Sequence, residues 1–225
     1  MPGLDGTGNM FQPLISSLGD EIKTYTISYP FDQHLSYDEL SGFVRNKLKN
    51  FDEQLVLLAE SFSGPVAVKL LQNSLPNIKA VIFSATFCES PKSVLVLLSK
   101  FLPVAAILKL PFPNAVIKYF CFGYDCSPET IDLFKKTISK SNAKVLSQRI
   151  IEISRLKFKG QNLSNIPCCY IQAQYDKFVP HSAFQSFLKI APDIQLIKIK
   201  GPHFILQAKP QECKESIVKF IRNIL

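Results

Sequence analysis

Apolar and polar positions along this chain change period repeatedly. Residues 9–19 place Phe11, Leu14, Ile15 and Leu18 on one helical face. Residues 36–49 do the same with Leu40, Phe43, Val44 and Leu48, behind Ser36 as a capping side chain. Between them, residues 22–29 (IKTYTISY) alternate and are β-branched or aromatic, which predicts a strand ended by Tyr29-Pro30. Short apolar runs follow at 55–59, 80–84, 168–174 and 194–200, each short enough for a buried strand. Helical patterns intervene at 65–71 and 181–190, and residues 211–224 close the chain with Cys213, Ile217, Phe220 and Ile221 inward. Strands alternating with helices predict a mostly parallel, doubly wound α/β sheet.

Residues 91–158 interrupt that rhythm. They carry helix-like segments, three prolines within 103–113 and no clear strand, as expected of a helical insertion over the sheet. The division predicted is a core of residues 1–90 and 160–225, with residues 91–159 as a cap. Length alone supports one domain with such an inserted part. The most apolar stretch, 94–117, is too broken by Lys100, Pro103, Lys109, Pro111 and Pro113 to span a bilayer.

The segment 54–71 organises the rest. An apolar run ends at Ala59, a turn passes through Glu60-Ser61-Phe62-Ser63-Gly64, and Pro65 opens a helix. Strand, tight turn with a central serine, then helix is the context of a nucleophile elbow. The residues two before and two after such a serine must be small. Glycine is usual at both; here they are Ala59 and Ser63, with Gly64 one further on. Serines are common in turns, so this feature alone does not decide.

Composition narrows the field. The chain has 225 residues, 47% hydrophobic and 20% charged, enough for a sizeable core. The formal charge is +8, and residues 92–159 account for it, with 12 Lys and Arg against 4 Asp and Glu. That excess is read first as a solvated helical face, with an anionic lipid surface, an acyl carrier or nucleic acid as the acidic partners it would favour. No nucleic-acid motif accompanies it. Six cysteines show no C-x-x-C spacing and three histidines no metal-ligand spacing, so no metal is expected and all six thiols are read as reduced, in the cytoplasm. PGLDGTG, at 2–8, lacks the Gly-Lys-Ser/Thr ending of a phosphate loop, and the start of the chain lacks the pattern of a secretory signal.

In doubly wound sheets, ligands bind beyond the carboxyl ends of the strands. The strand over 55–59 ends at Ser61, that over 168–174 at Tyr175-Asp176, and that over 194–200 at Gly201-Pro202-His203. A serine, an acid and a histidine thus leave three strand ends. A serine hydroxyl is a weak nucleophile until histidine takes its proton, and the histidine needs a carboxylate to fix its tautomer. His34 and His181 are the rival bases, and both are read as surface residues. Asp5 is read as a turn residue, and Glu60 as a supporting or solvated one.

On these residues the chain resembles the small serine esterase/lipase branch of the α/β-hydrolase fold, over essentially its whole length. The carrying pieces are PGLDGTG, AESFSGP, QYDKFVP and GPHFILQ. The resemblance implies Ser61 as nucleophile, His203 as general base and acid, and Asp176 as its orienting carboxylate. It makes PGLDGTG the oxyanion loop, with Pro2 where the family usually has histidine, and the backbone N–H groups of Leu4 and Phe62 as the oxyanion donors. It implies hydrolysis of a carboxylic ester or thioester, with an apolar acyl or alcohol part, through an acyl-enzyme and without a cofactor. Two other functions remain open: a non-catalytic or inactive binding protein on this fold, and acyl transfer to another alcohol. The family sheet carries a strand directly before the oxyanion loop, and Met1 stands where that strand would end. One or more N-terminal strands are thus expected to be missing, or else 22–29 pairs directly with 55–59.

Overall fold

The computed structural model describes residues 1–72, 75–91, 112–157, 162–163 and 165–224. In chain order the elements are α1 (Gln12–Leu18), α2 (Tyr37–Leu48), β1 (Leu55–Glu60), α3 (Ser63–Leu70) and β2 (Ile78–Ser84). The insertion follows with α4 (Asn114–Ile117), a π-helical turn (Lys118–Phe122), α5 (Pro128–Lys140) and α6 (Ala143–Arg155). The chain closes with β3 (Cys168–Ala173), α7 (Ala183–Leu188), β4 (Gln195–Ile199), α8 (Ile205–Ala208) and α9 (Pro210–Arg222).

Four parallel strands pair in the order β1-β2-β3-β4. The run of β3 is buried throughout because both faces of the sheet are covered there, whereas β4, at the edge, leaves Gln195 and Lys198 exposed. Alternate residues take opposite sides. Leu57, Ala59, Val81, Phe83, Cys168 and Tyr170 pack with Leu40 and Val44 of α2, Val66 and Leu70 of α3, and Phe187 of α7. Ala80, Ile82, Cys169 and Ile171 pack with Leu14 of α1, Leu206 of α8, and Cys213, Ile217 and Phe220 of α9. The adjacent Cys168 and Cys169 therefore enter different cores. All six cysteines are buried and unpaired.

Local signals hold where capping is encoded. Ser36 and Glu39 form a reciprocal capping box at the start of α2. Ser127 and Asn142 cap α5 and α6. The helices of the insertion stand between β2 and β3, where the broken rhythm predicts them. The apolar part of that insertion, 92–111, lies outside the described residues.

Residues 22–29 depart from expectation. They form no ladder with any described strand, and they do not pair with β1. Side-chain alternation encodes an extended backbone; a strand also needs a hydrogen-bonding neighbour. Here the segment is held by other means. Tyr29 N donates to Gly6 O at 2.7 Å, Lys23 and Tyr25 both bond Glu53, and the Tyr25 ring meets Phe51 edge-on. The β1 edge is met instead by Met1, whose amino group donates to Leu58 O at 2.7 Å and whose carbonyl accepts from Glu60 N at 3.2 Å.

Candidate active site

The turn after β1 puts Ser61 in the left-handed region, at φ 47°. A non-glycine residue there carries strain of about 1–3 kcal/mol and persists only where its surroundings enforce it. Ser61 N donates to Ser84 O at the end of β2, Gly64 N donates back to Ser61 O, and the Thr86 hydroxyl donates to the same carbonyl. Gly64 is required by close approach. A methyl there would collide with Thr86 Oγ1 and lie 2.6 Å from Phe87 O. Ser63, in place of the usual glycine, is not merely small: Tyr29 OH donates to its hydroxyl, which donates to Pro2 O, both at 2.5 Å.

The three strand-end residues converge. Ser61 Oγ is 2.9 Å from His203 Nε2, and His203 Nδ1 is 2.7 Å from Asp176 Oδ2. The other Asp176 oxygen accepts from the Phe178 and Val179 amides, both at 2.8 Å, which fixes the carboxylate. The His203 and Asp176 side chains are almost wholly buried. Burial alone would lower the His203 pKa, but the charge and hydrogen bond of Asp176, with the charge of Glu60, outweigh it and raise the pKa. This is a Ser-His-Asp triad with a hydroxyl donating to one ring nitrogen and a carboxylate holding the other. The rival histidines lie elsewhere. His34 is 3.5 Å from Glu152, and His181 is exposed at the approach to α7.

Glu60 is not solvated. It is buried at the end of β1 and accepts from Gln207 Nε2 at 2.8 Å, tying the nucleophile strand to the helix after His203. Burial raises its pKa, against the Gln207 hydrogen bond.

PGLDGTG folds against the elbow: Ser63 Oγ donates to Pro2 O, and a methyl on Gly3 would come into van der Waals contact with Ser61 Cβ. Asp5 accepts from the amide and hydroxyl of Thr7, the turn role expected of it. Gly6 and Gly8 take positive φ, and a methyl on Gly6 would overlap the Arg149 guanidinium. Arg149 is the residue that the sequence reading does not single out. It reaches from α6, fully buried, to donate to Leu4 O at 2.8 Å and Pro30 O at 3.0 Å. Its guanidinium also faces the Tyr29 and Phe62 rings at 5.7 and 5.8 Å. A signal exists in the sequence: Arg149 falls on the same helical stripe as Val145, Leu146 and Ile153, where an apolar residue is the norm.

The insertion packs beside the histidine. Phe122 and Phe134 meet Phe204, and Phe204 N donates to Cys121 O at 3.2 Å. These phenylalanines join the insertion to the core. A separate cavity of about 220 Å³ lies behind the elbow, lined by Tyr37, Val68, Lys69, Cys88, Glu152 and Arg155 among others, and no triad residue reaches it. Among the described residues no cluster of potential metal ligands occurs, and no helix is long and apolar enough to cross a membrane.

Neither a protein-family model nor a curated protein sequence matches the chain. Solved structures do. A thermophilic esterase from Thermogutta terrifontis superposes with a TM-score of 0.75 at 15% identity, covering 97% of this chain and 86% of that one. A bromoperoxidase from Bacillus anthracis gives 0.73 at 18% identity, over 96% and 88% of the two chains. A lipase-esterase related protein from Clostridium acetobutylicum gives 0.72 at 20%, over 97% and 91%. Fold and site together define an α/β-hydrolase fold bearing a serine triad.

Proposed function

We propose that the protein is a serine hydrolase that cleaves carboxylic esters or thioesters with an apolar acyl or alcohol part. The relay from Asp176 through His203 to Ser61, assembled at three strand ends, carries this reading. Ser61 Oγ attacks the substrate carbonyl as His203 Nε2 takes its proton. The tetrahedral oxyanion faces the Leu4 and Phe62 amides, neither of which has a hydrogen-bond partner among the described residues. Collapse breaks the bond to the leaving alcohol or thiol, which receives the proton from His203. Water, deprotonated by the same nitrogen, then releases the acid and restores Ser61. The structural neighbours' own descriptions, esterases and an enol-lactonase, support acyl chemistry at a carbonyl. Residues 91–159 act as the cap that shapes the acyl pocket. Six buried, unpaired thiols support a reducing compartment, the cytoplasm.

The test is hydrolysis of p-nitrophenyl esters of increasing acyl length beside Ser61→Ala. Activity that disappears in the variant supports the reading, and the length preference describes the pocket. A well-folded wild-type chain that neither turns over these esters nor labels with a fluorophosphonate overturns it in favour of a binding protein.

A further inference from the structure

Large apolar side chains exposed singly are ordinary; a contiguous group of them beside one kind of charge is not. Of the eight large hydrophobic residues exposed among those described, five cluster where the insertion meets the histidine loop: Val116, Tyr119, Phe120, Tyr124 and Tyr175. Tyr124 is 69% exposed, Tyr175 61%, Tyr119 49% and Phe120 40%.

They form one surface. The Tyr119 and Phe120 rings meet edge-on at 4.9 Å. Lys177 lies over the Tyr119 ring and 5.5 Å from the Phe120 centroid, and Lys118 Nζ bonds Tyr124 O at 3.3 Å. Tyr175 N donates to Gly201 O and Phe204 N donates to Cys121 O, so both segments flank the loop that bears His203. The π-helical turn explains the outward rings: it buries Cys121 and Phe122 and leaves Tyr119 and Phe120 facing water.

We propose that this aromatic-basic surface, Tyr119, Phe120, Tyr124 and Tyr175 with Lys118 and Lys177, docks the protein on an anionic lipid surface. Tyrosine suits the boundary between headgroups and acyl chains, since its ring is apolar and its hydroxyl remains wet. Lysines beside it add attraction to anionic headgroups. Charge selects the occupant. Lys118 and Lys177 stand at the rings and the one acidic residue within 112–126 is Asp125, so a second copy of this chain would meet like charge. Docking there turns the triad's rim toward the lipid. The proposal does not depend on the hydrolase reading, because binding is measured without turnover.

The experiment is co-sedimentation of Ser61→Ala protein with vesicles of phosphatidylcholine alone, or of phosphatidylcholine and phosphatidylglycerol in equal parts, at low and physiological salt. Binding to the anionic vesicles is expected to be at least roughly tenfold stronger than to the neutral ones, and to weaken with salt. Tyr119→Ser/Phe120→Ser/Tyr124→Ser is expected to lose that binding with its melting temperature kept, and Tyr124→Ser alone to weaken it several-fold. Wild-type-like binding by the triple variant, or no preference for anionic vesicles, overturns the proposal. So does a concentration-dependent dimer in sedimentation velocity that the triple variant abolishes, since the surface would then serve self-association.

Discussion

Arg149→Met separates the oxyanion loop from the triad. Methionine keeps much of the arginine stem and removes the guanidinium, leaving Leu4 O and Pro30 O without their donor. A buried carbonyl deprived of its partner costs about 1–3 kcal/mol. Part of this is offset, because burial of the guanidinium is itself unfavourable: it lowers the Arg149 pKa against the opposing charge of Asp5. A net loss of about 2–4 kcal/mol is expected, or a fall in Tm of roughly 5–10 °C for a domain of this size. The effect on catalysis should be separable from this. Leu4 O and Leu4 N belong to adjacent peptide groups, so a loop freed from Arg149 no longer fixes the amide proposed as an oxyanion donor. Loss of one such donor costs roughly 10²–10³ in kcat. KM should change little, because the interaction matures only in the transition state. Urea melts and p-nitrophenyl ester kinetics measure the two effects, with the ester assay run well below the variant's Tm. A kcat within about threefold of wild type would refute the claim that Arg149 sets the oxyanion loop.

Other substitutions test other parts of the argument. The raised His203 pKa places the acid limb of kcat/KM above the ordinary histidine value, since only neutral imidazole serves as base; Glu60→Gln removes one contributing charge, so the limb should move to lower pH. The same raised pKa gives a stability contribution that is fully present below the unfolded histidine value and lost as pH rises through the folded one, so the Tm difference between wild type and His203→Gln should shrink across that window. Gly64→Ala forces a methyl against Thr86 and the Phe87 carbonyl and should cost about 1–3 kcal/mol in urea denaturation, with unchanged stability refuting the close approach. Burial pushes the Cys88, Cys121, Cys168, Cys169 and Cys213 thiols up to about 12, so the native protein should react slowly with a thiol reagent and release six equivalents once denatured.

What the sequence makes legible is whatever a short window encodes. The apolar runs of β1 to β4, the small residues around Ser61 and the capping Ser36 are local, and each forms where the pattern places it. The triad was readable for a further reason: a parallel sheet brings its strand ends to one edge, so three residues far apart in sequence need only lie just past three strands. Residues 22–29 show the limit. Their alternation specifies an extended chain, but the neighbour that would make it a strand is a property of the whole sheet. Arg149 and Leu4 are 145 positions apart, and their contact leaves only an arginine on an apolar helical stripe as its trace. Glu60 has the same character: next to the nucleophile a carboxylate reads equally well as solvated, and Gln207, which takes it out of water, is 147 residues away.

The site is therefore held in two physically different ways. The triad hangs on the sheet: Glu60 is paired with Ser84, Ser84 with Ile171 and Ala173 with Ile199, so the ladder sets the spacing of the loops that carry Ser61, Asp176 and His203. PGLDGTG has no such ladder; its backbone is met by Met1 at the strand edge and by Tyr29 N, which donates to Gly6 O. Side chains tether it, through Ser63 and Tyr29 from the core and Arg149 from the insertion. Packed strands tolerate little adjustment, whereas a loop held largely by side chains can be reset by changing one of them. Substitutions in the strand cores should then act on turnover only through folding stability. Changes in α6 can reach the proposed oxyanion donors while the distances within the triad stay as they are.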